Sequence, residues 1–237
     1  MRVGLIDFDG KIPNLALMRL STYHKRRGDE VYLNQFGRVD RVYVSVLFTW
    51  SREKAAKLAQ VYPNVEFGGT GWDITKRLPV EVEACPPDYD LYTPAHLVDR
   101  LGGILNHGKR LAKAQELVDM GIGFTTRGCV RQCTFCAVPP KEGAFHRVAE
   151  ISDLLNPRSN VLTLLDNNFT ADPNMLDKCR EIKERGLVVD LSQGIDVRLI
   201  TDEKARALSE IRHLRSIHYA WDLMSYETQV LEGIKIL

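Results

Sequence analysis

The chain has 237 residues, 44% of them hydrophobic and 27% charged, a composition typical of a globular protein and not of a disordered one. Its 32 basic and 31 acidic side chains give a formal net charge of +1, so no global field would attract nucleic acid or an anionic membrane. No apolar run approaches the roughly 18 residues of a membrane span, and the N-terminus meets acidic residues too early for a secretory signal. We therefore expect a cytoplasmic protein with material for two hydrophobic cores, and neither a membrane nor a nucleic-acid partner is indicated.

Residues 1–92 alternate short apolar runs with amphipathic segments. The predicted elements are a strand at 2–9, a helix at 14–27, strands at 31–34 and 41–50, a helix at 51–62 with Ser51 as its N-cap, and a strand at 65–69. This alternation indicates an α/β domain with a doubly wound parallel sheet of the Rossmann type, whose ligands bind at the carboxyl ends of the strands. Asp7, Asp9, Ser45 and a glycine turn at 68–71 fall on that edge.

A segment rich in proline and acidic residues, 78–94, leads out of this first domain. Residues 95–120 follow as a helical segment. Its apolar stripe consists of Leu97, Leu101, Ile104 and Leu105. A Gly-Gly pair at 102–103 interrupts this stripe and weakens the helix. We expect residues 93–120 to form a helical linker.

From residue 121 the alternation restarts and continues to residue 237. The predicted elements are a strand at 123–127, a helix at 148–155, a strand at 161–167, a helix at 173–185, a strand at 188–197, a helix at 202–212, a strand at 216–222 and a last helix from 226. These four strand–helix units predict a partial (β/α) barrel over 121–237. Because the pattern stops there, we expect truncation at the C-terminus or completion by a partner chain.

Three cysteines, Cys129, Cys133 and Cys136, lie within eight residues directly after the first strand of this second domain. Three thiolates can hold three corners of a cubane [4Fe–4S] cluster, which leaves the fourth iron open to a small molecule. The alternative is a zinc site in which His146 supplies the fourth ligand, because structural zinc is held by four closed Cys or His ligands. Either metal centre could also belong to a non-catalytic protein that serves electron transfer or regulation.

The spacing Cys129-x3-Cys133-x2-Cys136, with Phe135 before the last cysteine, resembles the cluster motif of the radical S-adenosylmethionine superfamily. The resemblance implies an enzyme whose open iron binds S-adenosylmethionine. An electron from an external donor then cleaves this small-molecule cofactor to methionine and a 5′-deoxyadenosyl radical. It also implies that Phe135 lines the adenine site. The substrate of the radical stays unspecified.

The same resemblance places a polar turn after the second barrel strand, where it holds the methionine amino group. In this chain Asp166, Asn167 and Asn168 occupy that position. The alternative is an Asx turn that merely closes the strand.

Further polar residues fall at predicted strand ends, where barrels carry their chemistry. They are Ser192, Gln193, Asp196, Arg198 and Asp222. Arg198 could pair with the cofactor carboxylate, and Asp222 could accept hydrogen bonds from the ribose hydroxyls. An ordinary salt bridge is the alternative for either.

The first domain resembles the cobalamin-binding domain that precedes many of these barrels. The Ser-Val-Leu segment at 45–47 and the Gly-Gly pair at 68–69 resemble elements that accommodate the nucleotide tail of cobalamin. No axial histidine stands at 7–12, so cobalamin is disfavoured and the cleft is expected to serve something else. Methylthiolation, a reaction of the same superfamily, is also disfavoured. The enzymes that perform it have further cysteine ligands in their N-terminal domain, whereas here Cys85 is the only cysteine before the motif. Cys179 is expected in the core.

Overall fold

The computed structural model of the protein describes residues 1–34, 37–103 and 106–237. The chain forms two compact units, Met1–Asp119 and Met120–Leu237. Each unit contains a four-stranded parallel sheet with helices, which confirms a mixed α/β fold with parallel sheets. Among the described residues, no helix is both long and apolar enough to cross a membrane.

The first unit contains a sheet of strand order β2-β1-β3-β4, all parallel. Its elements are β1 (Arg2–Asp7), α1 (Leu15–Arg26), β2 (Glu30–Leu33), β3 (Arg41–Ser45), α2 (Arg52–Ala56), β4 (Val65–Gly68), α3 (Val80–Glu83), α4 (Pro94–Val98) and α5 (His107–Asp119). Helix α1 begins at Asn14, whose side chain accepts a hydrogen bond from the Leu17 N–H, and it ends before Gly28 at φ +80°. The four strands and α1 confirm the predictions for this part of the chain.

Three segments of the first unit differ from the sequence-based expectation. The helix predicted at 51–62 is only α2, continued by a 3₁₀ helix at Lys57–Gln60. The Ser51 side chain makes no capping bond, because the preceding turn already gives this residue helical angles. The segment 95–120 forms α4 and α5 as separate helices, and the stripe residues Ile104 and Leu105 lie outside the described residues.

The compact first unit extends to Asp119, so the expected linker at 93–120 falls almost wholly within it. Side-chain contacts provide the physical reason. The Tyr92 hydroxyl donates to Asp7 at 2.8 Å, and the Arg100 guanidinium donates to the backbone carbonyl of Asp7 at 2.6 Å. Leu97 is fully buried between these two anchors in the chain.

The second unit has a parallel sheet of strand order β10-β9-β8-β5. Its elements are β5 (Gly121–Gly123), β6 (Thr126–Arg127), α6 (Val138–Glu142), β7 (His146–Arg147), β8 (Val161–Leu164), α7 (Met175–Glu184), β9 (Val188–Leu191), α8 (Asp202–Ser209), β10 (Arg212–His213) and α9 (Glu227–Ile236). Neighbouring strands follow chain order, as in consecutive units of a barrel, but within the described residues the sheet stays open.

The core of the second unit lies between this sheet and its helices. It includes Leu162, Leu164, Phe169, Met175, Ile182 and Val189, each at most 1% exposed. Cys179 belongs to the same cluster, as predicted, and burial raises the pKa of its thiol to about 12.

The strand predicted at 123–127 divides in two. Strand β5 pairs with β8 in the sheet, whereas β6 leaves the sheet and pairs antiparallel with β7. The helix predicted at 148–155 is reduced to a 3₁₀ helix, Ile151–Leu154, because the chain turns extended ahead of Pro157, and the residue before a proline disfavours helix.

The fourth strand predicted at 216–222 is wrong. Helix α8 ends at Ser209, so β10 follows directly and pairs with β9. The segment 216–222 holds only an isolated bridge, between Tyr219 and Ile195. Asp222 therefore does not end a strand of the sheet.

Candidate functional site

The three clustered cysteines lie on a loop that connects β6 to β7, and we call residues 128–145 the cysteine loop. The antiparallel pair β6–β7 closes its base. Gly128 opens the loop at φ +77°, and a Cβ atom there would lie 2.2 Å from the Ala144 carbonyl oxygen. Arg127 and Glu142 add an ion pair of 2.9 Å across the base. The two ends of the cysteine loop are therefore held together, and the loop lies beyond the end of β5.

Every cysteine of the loop is free and partly exposed. The Cys129 sulfur accepts hydrogen bonds from the backbone N–H of Arg131 and from the side-chain amide of Asn168, each at 3.4 Å. The Cys136 sulfur accepts one from the Val138 N–H, also at 3.4 Å. Donors directed at sulfur stabilise negative charge there, which suits thiolate ligands.

The three thiols of the loop are suitable ligands for a metal cluster, but the described side chains are not arranged as a site for a metal ion. Within the ranges 1–34, 37–103 and 106–237, no group of three or more His, Cys, Asp or Glu side chains is arranged so that it could hold a metal ion. His146 is exposed in β7, and its Nδ1 lies 2.8 Å from the Ala144 carbonyl oxygen. The fit to a cluster therefore depends on three free thiols in one loop and on the N–H groups directed at two of them.

The residues that follow β8 hold the base of the cysteine loop. Asp166 is buried and accepts hydrogen bonds from the Thr125 N–H at 2.6 Å, the Thr126 N–H at 3.2 Å and the Thr125 hydroxyl. Asn167 accepts from the Gly128 N–H at 2.9 Å. The carboxylate of Asp166 and the amide oxygen of Asn167 are thus used within the protein, and a contact of these residues with a bound amino group stays a prediction.

A buried lysine that sequence reasoning missed lies next to this turn. Lys178 is 5% exposed, and its ammonium group contacts the Thr125 hydroxyl, the Asp172 carboxylate and, at 3.9 Å, Asp166. Its position on α7 carried a signal, since residue 178 falls on the same helical stripe as Cys179 and the buried residues a turn away. A lysine on an apolar stripe indicates buried carboxylate partners.

Four of the predicted site residues line one shallow cleft of about 20 Å³, the space of about one water molecule. They are Cys133, Phe135, Arg198 and Asp222, and the cleft also includes Ala220, Trp221, Tyr226 and Val230. The Phe135 and Trp221 side chains are 56% and 40% exposed. A flat base could stack on such exposed rings, while a guanidinium and a carboxylate select anionic and hydroxyl groups.

Arg198 is held in the cleft by an ion pair with Asp196. The salt bridge that the sequence analysis gave as an alternative role for Arg198 is therefore present. Its Nε and Nη2 lie 2.6 and 3.0 Å from the Asp196 carboxylate, which also accepts from Arg131 at 3.0 Å. Burial alone would raise the pKa of Asp196, but the hydrogen bonds and charges of Arg198 and Arg131 hold that pKa below its usual value. The Asp196 hydrogen bond in turn raises the pKa of Arg198, to which Cys133 and Tyr226 also contribute. The guanidinium lies 4.6 Å from the Tyr226 ring centroid.

The remaining predicted residues are placed differently. Ser192 and Gln193 are exposed just beyond β9, and neither lines the cleft. Asp222 reaches the cleft from the irregular segment after β10. Trp221 was not recognised because it fell in the strand wrongly predicted at 216–222, and Tyr226 was not recognised because it stood only as the first residue of a predicted helix.

The carboxyl edge of the first sheet is occupied by its own side chains. Ser45 accepts a hydrogen bond from the Asn14 amide at 2.9 Å, and Asp9 accepts from the Leu47 and Phe48 N–H groups at 2.8 and 3.1 Å. A Cβ at Gly69 would lie 2.3 Å from the Val46 carbonyl oxygen. This close approach of the backbone accounts for Gly69 without a nucleotide tail, so this glycine does not by itself indicate cobalamin.

No protein-family model and no curated protein matches the chain. Among solved structures, the chain is similar to one described as "Structure of Cobalamin-dependent S-adenosylmethionine radical enzyme OxsB with aqua-cobalamin and S-adenosylmethionine bound". The TM-score is 0.48, the sequence identity is 13%, and the match covers 88% of this chain and 41% of that one. The chain thus spans less than half the length of the structure it matches, and a likeness of this degree defines no family.

Proposed function

We propose that the protein is a radical S-adenosylmethionine enzyme in which Cys129, Cys133 and Cys136 bind a [4Fe–4S] cluster. The observation that carries the proposal is the position of one cysteine, Cys133, in the wall of a cleft that also contains exposed aromatic rings, a guanidinium and a carboxylate. Such a cleft offers complementary groups for each part of an amino acid nucleoside, next to a loop of three free thiols. The fourth iron of a cluster with three thiolate ligands is open to that cofactor.

The side chains of the cleft have separate roles in this proposal. Phe135 and Trp221 stack against the adenine ring, since exposed aromatic faces gain from covering a flat base. Asp222 accepts hydrogen bonds from the ribose hydroxyls. Arg198 binds the carboxylate of the methionine part through the N–H groups that Asp196 leaves unused, while Asp196 fixes its orientation.

The bound cluster would supply the electron that cleaves S-adenosylmethionine. That electron would come from an external donor, which could approach the cluster because the cysteines of the loop are partly exposed. Among the described residues the sheet of the second unit is open at β5 and β10, and we propose that strands of a partner chain complete the barrel. Cobalamin has no role in the proposal, because no axial histidine stands at 7–12.

The test is the reductive cleavage of S-adenosylmethionine. Anaerobically reconstituted protein is incubated with S-adenosylmethionine and dithionite, and 5′-deoxyadenosine is measured by chromatography. Cys133→Ala should abolish the product, whereas Cys85→Ala, which removes a buried thiol of the first unit, should retain it. Equal formation of 5′-deoxyadenosine by wild type and Cys133→Ala would contradict the proposal.

A second candidate, a non-catalytic zinc protein, is favoured by one contact. The His146 Nδ1 lies 2.8 Å from a backbone carbonyl oxygen, and zinc-ligating histidines commonly donate their second ring N–H in this way. This candidate predicts colourless protein with one zinc per chain, and His146→Ala would then release the metal. Iron uptake that His146→Ala leaves unchanged would exclude it.

A further inference from the structure

Cys129 differs from Cys136 in the donors that reach its sulfur. Its sulfur accepts two hydrogen bonds, from the Arg131 backbone N–H and the Asn168 amide, each at 3.4 Å. The Cys136 sulfur accepts one, from the backbone N–H of Val138. Of these donors only Asn168 is a side chain, and it comes from the turn after β8 rather than from the cysteine loop.

The orientation of the Asn168 amide is fixed by its other contacts. Its Oδ1 accepts from the Ala171 backbone N–H at 3.2 Å and from the Thr170 hydroxyl at 3.0 Å. A backbone N–H can only donate, so the atom that faces Ala171 must be the oxygen and the atom that faces Cys129 must be the nitrogen. Asn168 is buried, so bulk water does not compete for this bond.

We propose that Asn168 tunes the cluster, raising its reduction potential through the N–H···S bond to Cys129. The inference rests on the proposed function, because it presumes a cluster on the loop. One-electron reduction by the external donor adds negative charge that the ligand sulfurs share. An N–H dipole directed at a sulfur stabilises this more negative state more than the oxidised one. In this role Asn168 acts through the Cys129 sulfur, so it is a positioning residue.

Three variants separate the hydrogen bond from the charge and from the fold. Asn168→Ser keeps an oxygen for the Ala171 N–H at the start of a 3₁₀ helix, and it removes the amide N–H that reaches Cys129 without adding charge. Asn168→Asp keeps the oxygen, removes the donor and adds a negative charge. Asn167→Asp is the matched control, since it adds the same charge one residue away, keeps the acceptor of the Gly128 N–H and leaves the bond to Cys129 intact.

The experiment is a potentiometric titration of anaerobically reconstituted protein, in which electron paramagnetic resonance follows the reduced cluster. The iron content of each variant is measured first. Asn168→Ser should retain the iron of the wild type and show a more negative reduction potential. Asn168→Asp should shift further in the same direction, and Asn167→Asp should shift less than Asn168→Asp.

A wild-type potential in Asn168→Ser would overturn the inference and leave the proposed function standing. Loss of iron uptake in both Asn168 variants, but not in Asn167→Asp, would also overturn it, because Asn168 would then serve assembly and not tuning. Wild-type protein that takes up no iron would overturn the proposed function and the inference together. That failure is distinguishable, because it is seen before any substitution is made.

Discussion

The two parallel sheets end in carboxyl edges of opposite character. In the first unit, the buried Asp7 accepts hydrogen bonds from the Tyr92 hydroxyl at 2.8 Å and the Gly10 N–H at 3.0 Å, and Arg100 forms an ion pair with it at 3.2 Å. In the second unit, the corresponding edge supports a loop of free, partly exposed thiols, beside a cleft whose Trp221 is 40% exposed. The first edge is thus satisfied internally, and the second presents groups with ligand chemistry.

The second edge consists of two layers with different tasks. Asp166, Asp172 and Lys178 form a buried layer in which one ammonium group is paired with two carboxylates. Above it, the cysteine loop and the cleft keep exposed rings and sulfurs. Polar residues at strand ends do not by themselves form a site, because most of them stabilise the turns on which the exposed groups of the site lie. What distinguishes a site is a second layer whose groups remain exposed.

The largest expected effect is on the buried layer. Lys178→Met leaves two buried carboxylates without their cation, and we expect a loss of about 3–5 kcal/mol in the free energy of unfolding. Lys183→Met is the matched control on the same helix, since the Lys183 ion pair with Glu210 is exposed and solvent screening should make its loss much less costly. Urea unfolding followed by circular dichroism measures both. Equal losses in the two variants would contradict the two-layer description.

The next effect concerns the base of the cysteine loop. Gly128→Ala places a Cβ 2.2 Å from a carbonyl oxygen at a positive φ, so we expect a loss of about 2–3 kcal/mol together with reduced iron uptake. Gly143→Ala has nearly the same φ, and its ψ of −151° also favours glycine, so we expect a loss of about 1–3 kcal/mol; because nothing lies within 4 Å of the added Cβ, it should keep its iron. Colorimetric iron analysis and urea unfolding check the pair. Normal iron uptake by Gly128→Ala would refute the role of this base.

Asp196 predicts a pH dependence. Asp196→Asn removes the charged partner of Arg198 and Arg131, and should cost about 1.5–3 kcal/mol at neutral pH. The pKa of Asp196 lies below its ordinary value of 3.8, so its stabilising contribution is present above that pH and is lost as the pH falls through the lowered pKa. Urea unfolding between pH 7 and pH 3 should therefore show the gap between wild type and variant narrowing in acid. A gap that stays constant or widens in acid would be inconsistent with the ion pair.

The smallest effect is expected at the first edge. Tyr92→Phe removes the hydroxyl bond to Asp7 but leaves the ion pair with Arg100, so we expect a loss of about 1 kcal/mol in the free energy of unfolding. Iron uptake should be unchanged, because this edge has no part in the proposed site. Urea unfolding and iron analysis on the same sample test both statements. Loss of iron in Tyr92→Phe would contradict the statement that only the edge of the second sheet takes part in the proposed cluster site.

Much of the fold could be predicted because hydrophobic periodicity marks buried strands directly. Strands β1, β3, β4, β8 and β9 lie within predicted runs and β2 overlaps one, and Cys133, Phe135, Arg198 and Asp222 do line one cleft. The two-residue strands β7 and β10 were missed, since so short a strand has no alternation to detect.

The buried layer could not be predicted in the same way. Thr125, which contacts both Asp166 and Lys178, is more than 40 residues from either in the chain, and only the folded structure brings them together. Asn168 illustrates the same limit. Its type and position indicated a ligand contact or a turn. Its side-chain oxygen does cap the turn, but its amide nitrogen also donates to the sulfur of Cys129, which the sequence did not indicate.

The central claim is that the three loop cysteines hold a cubane cluster with one iron open to S-adenosylmethionine. The most direct test measures iron, sulfide and bound S-adenosylmethionine in anaerobically reconstituted protein. The account predicts about four irons and about four sulfides per chain, with one S-adenosylmethionine bound. Colourless protein that holds zinc alone, or a cluster that binds no S-adenosylmethionine, would contradict it.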